Sequence, residues 1–167
     1  MAIDILIDDT RWRSINVIDL VNQAYVKTIT CFGLSADSCE SALVASNDRR
    51  ISKLNAQHRD QNKPTNVLSW PADELRAEID GDLPKPPKSD PDDVYHLGDI
   101  VISYDSCERE AIFERKSLSD HTTHLFVHGL LHLLGYDHHR ELDAALMEQT
   151  EIEILATMGL ADPYIAR

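Results

Sequence analysis

LSDHTTHLFVHGLLHLL, residues 118–134 of this 167-residue chain, is a nearly continuous apolar segment interrupted by histidines. Apolar side chains occur on nearly every side of a helix drawn through it, and a helix of that kind is buried. We therefore expect it to be the central helix of the fold. Four imidazoles interrupt it: His121, His124, His128 and His132. Each needs a partner, because an unpaired buried polar group costs about 1–3 kcal/mol.

Working outward from this helix, the remaining sequence shows both strand and helix periodicity. Alternating or short apolar runs predict strands over residues 2–7, 41–45, 66–70 and 97–104. Helical spacing predicts helices over residues 15–32, 48–58, 106–115, 118–134 and 139–158. Strands come early and helices dominate late. This order predicts an α+β fold, a small mixed sheet packed with helices around the central buried helix that carries the metal ligands.

The length is typical of one domain, so we expect residues 1–167 to form a single hydrolase domain. Residues 71–95, rich in Pro, Asp and Glu with few apolar anchors, predict an exposed, mobile segment, called here the acidic insertion. The three cysteines form no close pairs, which favours reduced thiols over disulfides. No secretory leader or long apolar run is present in the sequence, so we expect a cytoplasmic protein without a membrane partner.

The charge of the chain is unevenly distributed. The formal net charge of −13 predicts repulsion of polyanions at long range and favours a soluble enzyme that avoids nucleic acid. Residues 48–63, called here the basic segment, run against this trend with five basic residues and two acidic ones. We therefore expect attraction of an anionic partner to be confined to this segment.

A metal-binding pattern, H-x-x-x-H-x-x-G-x-x-H, spans residues 128–138. His128 and His132 are four residues apart, which places both rings on one helix face. Gly135 can end the helix in the left-handed conformation, and His138 can then return to the same ion. Three nitrogen ligands with a fourth position open to water are typical of catalytic zinc. We predict one Zn²⁺ ion, although nickel, copper or iron suit the same nitrogens.

Other residues near the pattern are candidates for supporting roles. His124 is in phase with His128 and is a rival ligand, but we favour a packing or ring-orienting role. His139 is expected to be solvated. Asp99 and Asp137 are candidates for holding the ligand rings in one tautomer, and Asp137 is equally well interpreted as a turn residue.

The same histidine spacing also occurs in zinc peptidases, which need a glutamate directly after the first histidine as general base. Gly129 occupies that position, and glycine cannot move a proton. The peptidase alternative stays open only through a more distant carboxylate. A third possibility is a non-catalytic protein whose zinc is structural.

The sequence LNAQHRDQNKPTNVLSWP, residues 54–71, supplies a candidate for phosphate binding. Arg59 carries a permanent charge and can bind a phosphate through two hydrogen bonds, so it is the candidate catalytic residue. A surface salt bridge is the alternative for it. Substrate binding is also considered, against the simpler interpretation as a solvated helix face, for four more residues: Arg49, Arg50, Lys53 and Lys63.

Three blocks of the chain resemble the YbeY family of bacterial endoribonucleases, also called rRNA maturation factors. The blocks are LNAQHRDQNKPTNVLSWP at 54–71, LGDIVIS at 97–103 and HGLLHLLGYDH at 128–138. Two positions depart from the pattern: Asn66 stands where the family often has Asp, and Trp70 where it often has Phe.

The resemblance implies a single-domain α+β fold and a zinc-dependent endoribonuclease specific for single-stranded RNA. It implies a role in maturing the 3′ end of the small-subunit ribosomal RNA and in ribosome quality control, with ribosomal RNA and the small ribosomal subunit as partners. Carried over residue by residue, the zinc ligands are His128, His132 and His138, and the functional arginine is Arg59.

Overall fold

A computed structural model describes residues 3–165 of the chain. The strands in this range are β1 (Ile3–Ile7), β2 (Cys39–Ser46), β3 (Val67–Pro71) and β4 (Tyr95–Ser103). The helices are α1 (Val17–Cys31), α2 (Asp48–Arg59), α3 (Tyr104–Phe113), α4 (Leu118–Leu133) and α5 (Glu141–Thr157). No helix among the described residues is long and apolar enough to cross a membrane.

The strands form one mixed sheet in the order β1-β2-β4-β3. Strands β1, β2 and β4 run parallel, and β3 is antiparallel to β4 at the edge. The parallel pairing of β1 with β2 is possible because α1 carries the chain back from the end of β1 to the start of β2, and α2 and β3 lie between β2 and its parallel neighbour β4. The predicted α+β class with a small mixed sheet is confirmed.

Helix α4 lies in the core between the sheet and the other helices. It packs against β3 and β4 on one side and against α1, α3 and α5 on the others. Phe126, Leu130 and Leu131 are fully buried. His128 and His132 are only partly buried, because the helix face that carries them borders an open cleft. The apolar composition of α4 follows from these neighbours on nearly every side.

The predicted element bounds differ from the observed ones mainly where a tertiary contact determines an end. The predicted strand over residues 2–7 begins at Ile3, and Ala2 lies outside the described residues. Helix α3 begins at Tyr104, two residues before the prediction, directly after β4. Two short 3-10 turns, Thr10–Ile15 and Ala36–Ser38, were not predicted. The first buries Trp12, whose indole N–H donates to the Ser46 carbonyl at 2.8 Å.

The acidic insertion has no helix or strand between Pro71 and Tyr95, and most of its residues are exposed. Several contacts nevertheless hold it against the start of α5. Arg140 donates to the Ala77 carbonyl at 2.7 Å, and an Asp80 carboxylate oxygen accepts the Asp143 N–H at 2.8 Å. The predicted exposure agrees with this arrangement, whereas the predicted mobility stays a prediction. These contacts carry the first part of the insertion toward α4.

Close approach between α4 and the sheet occurs at Gly129. Its carbonyl accepts a hydrogen bond from the Ser69 hydroxyl at 3.1 Å. A Cβ atom at this position would lie 3.1 Å from Ser69 Oγ, 3.2 Å from Val67 Cγ2 and 3.3 Å from Ile100 Cγ2. The glycine therefore sets how closely the helix packs on β3 and β4.

Substitution of this glycine by a branched residue tests the packing. Gly129→Val is expected to lower the free energy of unfolding by about 1–3 kcal/mol, because the added methyl groups overpack a filled contact. Ala156→Val on the exposed face of α5 is the control and is expected to change it by no more than about 0.5 kcal/mol. Urea unfolding measures both. A Gly129→Val protein as stable as the wild type would contradict the proposed close packing.

Candidate metal centre

Three imidazoles converge at the C-terminal end of α4. Atoms Nε2 of His128 and Nε2 of His132 lie 3.1 Å apart, one helical turn from each other. The centroid of the His138 ring lies 5.3 Å from that of His128 and 4.9 Å from that of His132. Each of the three rings offers one nitrogen within 4.8 Å of the other two. We call His128, His132 and His138 the histidine cluster.

Gly135 allows the chain to turn back toward the cluster. Its φ of +97° is in the left-handed region that disfavours a side chain, and its N–H donates to the His132 carbonyl at 3.1 Å. A Cβ atom here would lie only 2.7 Å from the carbonyl oxygen of Leu75 in the acidic insertion. The position is therefore restricted to glycine by both conformation and space, of which the sequence pattern predicted only the conformation.

Hydrogen bonds determine which nitrogen of the His128 ring and which nitrogen of the His132 ring carries the proton. Atom Nδ1 of His132 lies 2.9 Å from the Tyr136 carbonyl oxygen, and Nδ1 of His128 lies 2.6 Å from Oε1 of Glu151. A carbonyl and an ionised carboxylate can only accept, so both Nδ1 atoms carry the proton. In neutral rings both Nε2 atoms then present lone pairs to one another.

Two lone pairs 3.1 Å apart repel each other unless a cation lies beside both. Zinc binds imidazole nitrogen at about 2.0–2.1 Å, which separates two tetrahedral ligands by about 3.3 Å. The observed separation is close to that value. The cluster therefore fits a zinc ion by the chemistry of its donors and by their spacing.

The surroundings of His132 and His138 keep these two rings in the neutral form that a metal needs. Burial, together with the neighbouring His128 and His138 rings, lowers the pKa of His132 to about 4. Burial and the His128 ring also lower the pKa of His138. At neutral pH these two imidazoles are unprotonated without having to release a proton to a metal.

Glu151 of α5 is a site residue that was not predicted from the sequence. Its side chain is fully buried and accepts hydrogen bonds from His128 at 2.6 Å, from His124 at 2.8 Å and from the Tyr164 hydroxyl at 2.5 Å. Burial alone would raise the pKa of this carboxyl, but the hydrogen bonds from His124, His128 and Tyr164 outweigh it and lower the pKa to about 2.

A signal for Glu151 was present in the sequence. The buried face of α5 runs through Met147, Ile154 and Leu155, and Glu151 occupies the same helical face. A carboxylate in phase with a buried apolar stripe needs buried partners. The four histidines of α4 were the available donors.

The other candidates for supporting roles, His124, His139 and Asp137, have different surroundings. Atom Nε2 of His124 forms a hydrogen bond with Glu151, the residue that also holds the His128 ring, which agrees with the favoured supporting role of His124. His139 has a side chain that is 71% exposed, as expected of a solvated residue. Asp137 accepts the His138 backbone N–H at 2.8 Å, and it also lies beside His138 and His139 in a second group that could hold a cation.

For the rings of His128 and His132, the prediction that Asp99 or Asp137 holds the tautomer is wrong, whereas the hydrogen bond from the His138 N–H to Asp137 fits the alternative interpretation of Asp137 as a turn residue. Among the described residues, the Nδ1 atoms of His128 and His132 have Glu151 and the Tyr136 carbonyl as partners. Asp99 is exposed on β4, where it pairs with Trp70 of the neighbouring strand. The prediction rested on carboxylates near the motif or in a matching block, whereas the orienting carboxylate comes from another helix.

Asn66 and His121 of α4 belong to a second, partly buried hydrogen-bond network. Glu110 of α3 accepts from His121 Nε2 at 2.8 Å and from Asn66 Nδ2 at 3.0 Å. Burial would raise the pKa of Glu110, but these two hydrogen bonds outweigh it and lower the pKa. The amide of Asn66 suits this contact because an aspartate has no N–H to donate to Glu110.

The histidine cluster lies in a cleft of about 450 Å³. Arg59, at the end of α2, lines the same cleft. Asn66, the residue before β3, and Arg76 of the acidic insertion also line it. The other four basic candidates are exposed and do not line it: Arg49, Arg50, Lys53 and Lys63. The structure therefore brings Arg59 to the three histidines and leaves the other basic side chains outside the cleft.

Comparisons with known proteins agree with this arrangement. The family model described as endoribonuclease YbeY matches residues 6–159. A protein of that name from Ruegeria pomeroyi is 47% identical over 98% of this chain and 98% of its own, and one from Bartonella quintana is 39% identical over 98% and 97%. The solution structure of TM1509 from Thermotoga maritima shares the fold, with a TM-score of 0.52, 19% identity and coverage of 98% of this chain and 99% of that chain. By these matches, the chain belongs to the endoribonuclease YbeY family.

Proposed function

We propose that this chain is a zinc-dependent endoribonuclease that cuts single-stranded RNA. The observation that carries the proposal is a single cleft lined by Arg59 and by the three histidines of the cluster. We further propose that it matures the 3′ end of small-subunit ribosomal RNA and acts in ribosome quality control. Its partners would then be ribosomal RNA and the small ribosomal subunit in the cytoplasm, and residues 1–167 would form one domain.

His128, His132 and His138 are the residues that would hold one zinc ion. When bound, zinc supplies Lewis acidity toward a phosphoryl oxygen and makes water acidic enough to ionise near neutral pH. The protein contributes by holding the ring nitrogens in place. Glu151 and the Tyr136 carbonyl hold the Nδ1 protons, so the Nε2 atoms of His128 and His132 remain free to bind the ion.

Arg59 is proposed to bind the phosphate at the point of cleavage. Its side chain is exposed at the end of α2, and it lines the cleft that contains the cluster. A guanidinium can donate two parallel hydrogen bonds to phosphate oxygens and can stabilise the negative charge that develops on them. Its position thus favours a role in catalysis over a surface salt bridge.

Arg49, Arg50, Lys53 and Lys63 are proposed to guide the RNA toward the cleft. All four are exposed: Arg49 and Arg50 in the first turn of α2, Lys53 in its middle and Lys63 four residues after its end at Arg59. Atom Nη1 of Arg50 lies 3.7 Å from Oδ2 of Asp8. This ion pair is long and solvent-exposed, so breaking it costs little free energy. The negative charge of the remaining chain would restrict RNA binding to this face.

The peptidase alternative is disfavoured by the surroundings of Gly129. A side chain at this position would meet Val67, Ser69 and Ile100 within 3.3 Å, so there is no room for a catalytic glutamate. A purely structural zinc is disfavoured because the cluster borders an open cleft beside Arg59. Both observations support hydrolysis of a phosphodiester bond.

Metal content and activity test the proposal together. Purified wild-type protein is expected to contain about one zinc per chain, as three histidine ligands with an open position hold one ion. It should cut single-stranded RNA and leave casein intact. His128→Ala and His132→Ala proteins should lose both zinc and RNA cleavage while remaining folded. His96→Ala removes an exposed imidazole outside the cleft and should change neither. Cleavage that survives in folded His128→Ala protein would point to a contaminating nuclease.

Charge reversal at the phosphate site tests Arg59. Arg59→Glu is expected to lower kcat by about 10²–10³-fold, the usual cost of removing a group that stabilises developing charge. Its zinc content and circular dichroism spectrum should match those of the wild type. Lys27→Glu reverses an exposed charge on α1 outside the cleft and is the control. Normal turnover by Arg59→Glu would assign Arg59 a structural role only.

The salt dependence of RNA binding tests the basic face. Reversing Arg49, Arg50 and Lys53 together should weaken binding and reduce the slope of log Kd against log salt by about 0.7 for each phosphate that the variant no longer neutralises. Filter binding to an RNA oligonucleotide at several salt concentrations gives the slope. A slope equal to that of the wild type would remove these three residues from the RNA-binding surface.

A further inference from the structure

The carboxylate of Glu151 links the histidine cluster to residues 158–165, the described residues that follow α5, called here the C-terminal segment. Oε1 of Glu151 accepts from His128, whereas Oε2 accepts from both His124 and the Tyr164 hydroxyl. The carboxylate side chain is 0% exposed, so these three donors take the place of water around it. Its orientation therefore depends on all three partners.

We propose that Glu151 and Tyr164 are positioning residues for the metal ligand His128, so that the C-terminal segment helps to determine zinc affinity. This inference rests on the proposed metal centre and extends it to two residues outside the histidine motif. Neither residue touches the proposed ion. Glu151 acts through the His128 ring, and Tyr164 acts through Glu151.

Glu151 determines which nitrogen of His128 is available. A hydrogen bond at Nδ1 keeps the proton there and leaves Nε2 as the ligand atom. The distance of 2.6 Å between His128 Nδ1 and Glu151 Oε1 indicates a strong, charge-assisted bond. Without it, the proton can move to Nε2, the atom that lies 3.1 Å from His132 Nε2, and His128 can then no longer bind the ion through that atom.

Tyr164 restricts rotation of the same carboxylate. Its hydroxyl lies 2.5 Å from Glu151 Oε2, and its ring packs edge-on against His124, with ring centroids 5.6 Å apart. A turn directs the side chain inward, since Asp162 Oδ1 accepts the Tyr164 N–H at 2.8 Å. The hydroxyl is the second donor to Oε2, so its removal leaves that oxygen with His124 alone.

The position of the segment supports the same role. A further cavity of about 370 Å³ borders the cluster, and its walls include His128, His138, Glu151 and Tyr164. Tyr164 lies at this boundary, half-exposed, with its hydroxyl directed to a buried oxygen. The C-terminal segment thus closes one side of the metal centre.

Zinc affinity of the full chain tests the inference. Glu151→Gln is expected to raise the Kd for zinc by about 10–100-fold and Tyr164→Phe by about tenfold, which is the range for loss of a hydrogen bond behind a metal ligand. Competition with a chromophoric chelator measures the Kd. Glu153→Gln on the exposed face of α5 and Tyr95→Phe on β4 are the matched controls and should bind zinc like the wild type.

The tautomer of the His128 ring separates positioning from general structural support. In metal-free wild-type protein, ¹⁵N NMR of the histidine rings should show the His128 proton on Nδ1, and both variants should show a mixture of tautomers. Unchanged zinc affinity in both variants would overturn the inference, as would weaker binding with an unchanged tautomer. Tyr164→Phe keeps the test decisive if Glu151→Gln does not fold. Wild-type protein that binds no zinc would instead overturn the proposed function, and this inference with it.

Discussion

The hydrogen bonds at the Nδ1 atoms of His128 and His132 are the constraint on which the site depends. One goes to a buried carboxylate and the other to a main-chain carbonyl, and neither acceptor can donate. The two Nε2 lone pairs are therefore held facing each other at 3.1 Å, where they repel without a cation between them. A bound ion would relieve this repulsion.

The fold creates that constraint by burying α4. The helix must pack against the sheet, so Gly129 allows close contact with β3, and Gly135 lets the chain return with His138. Helix α5 then crosses α4 and brings Glu151 to His124 and His128. Arg59, at the end of α2, lines the same cleft. Four separate elements thus contribute to one site, and none of them could form it alone.

The sequence was sufficient to predict features that depend on local periodicity. The buried helix over residues 118–134, the turn at Gly135 and the α+β class all followed from apolar spacing and glycine chemistry. The spacing of the three histidines predicted that their rings converge, and in the structure they do. Their binding of zinc, and the catalytic role of Arg59, stay proposals.

Features that depend on contacts between distant elements could not be predicted in this way. Glu151 lies 23 residues from its partner His128, and Tyr164 belongs to a segment with no regular structure. The contacts of the acidic insertion with Arg140 are equally remote in sequence. Asp99 was chosen wrongly as a ring partner because the spacing of residues along a chain does not tell which carboxylate will face a ring.

X-ray absorption at the zinc edge of the metal-loaded protein determines whether the histidine cluster holds zinc with one position open to solvent. Three imidazole nitrogens and one further light atom from solvent are expected, all at about 2.0–2.1 Å from the zinc. A zinc ion with fewer than three imidazoles, with a sulfur ligand, or with all four positions filled by side chains would contradict this expectation.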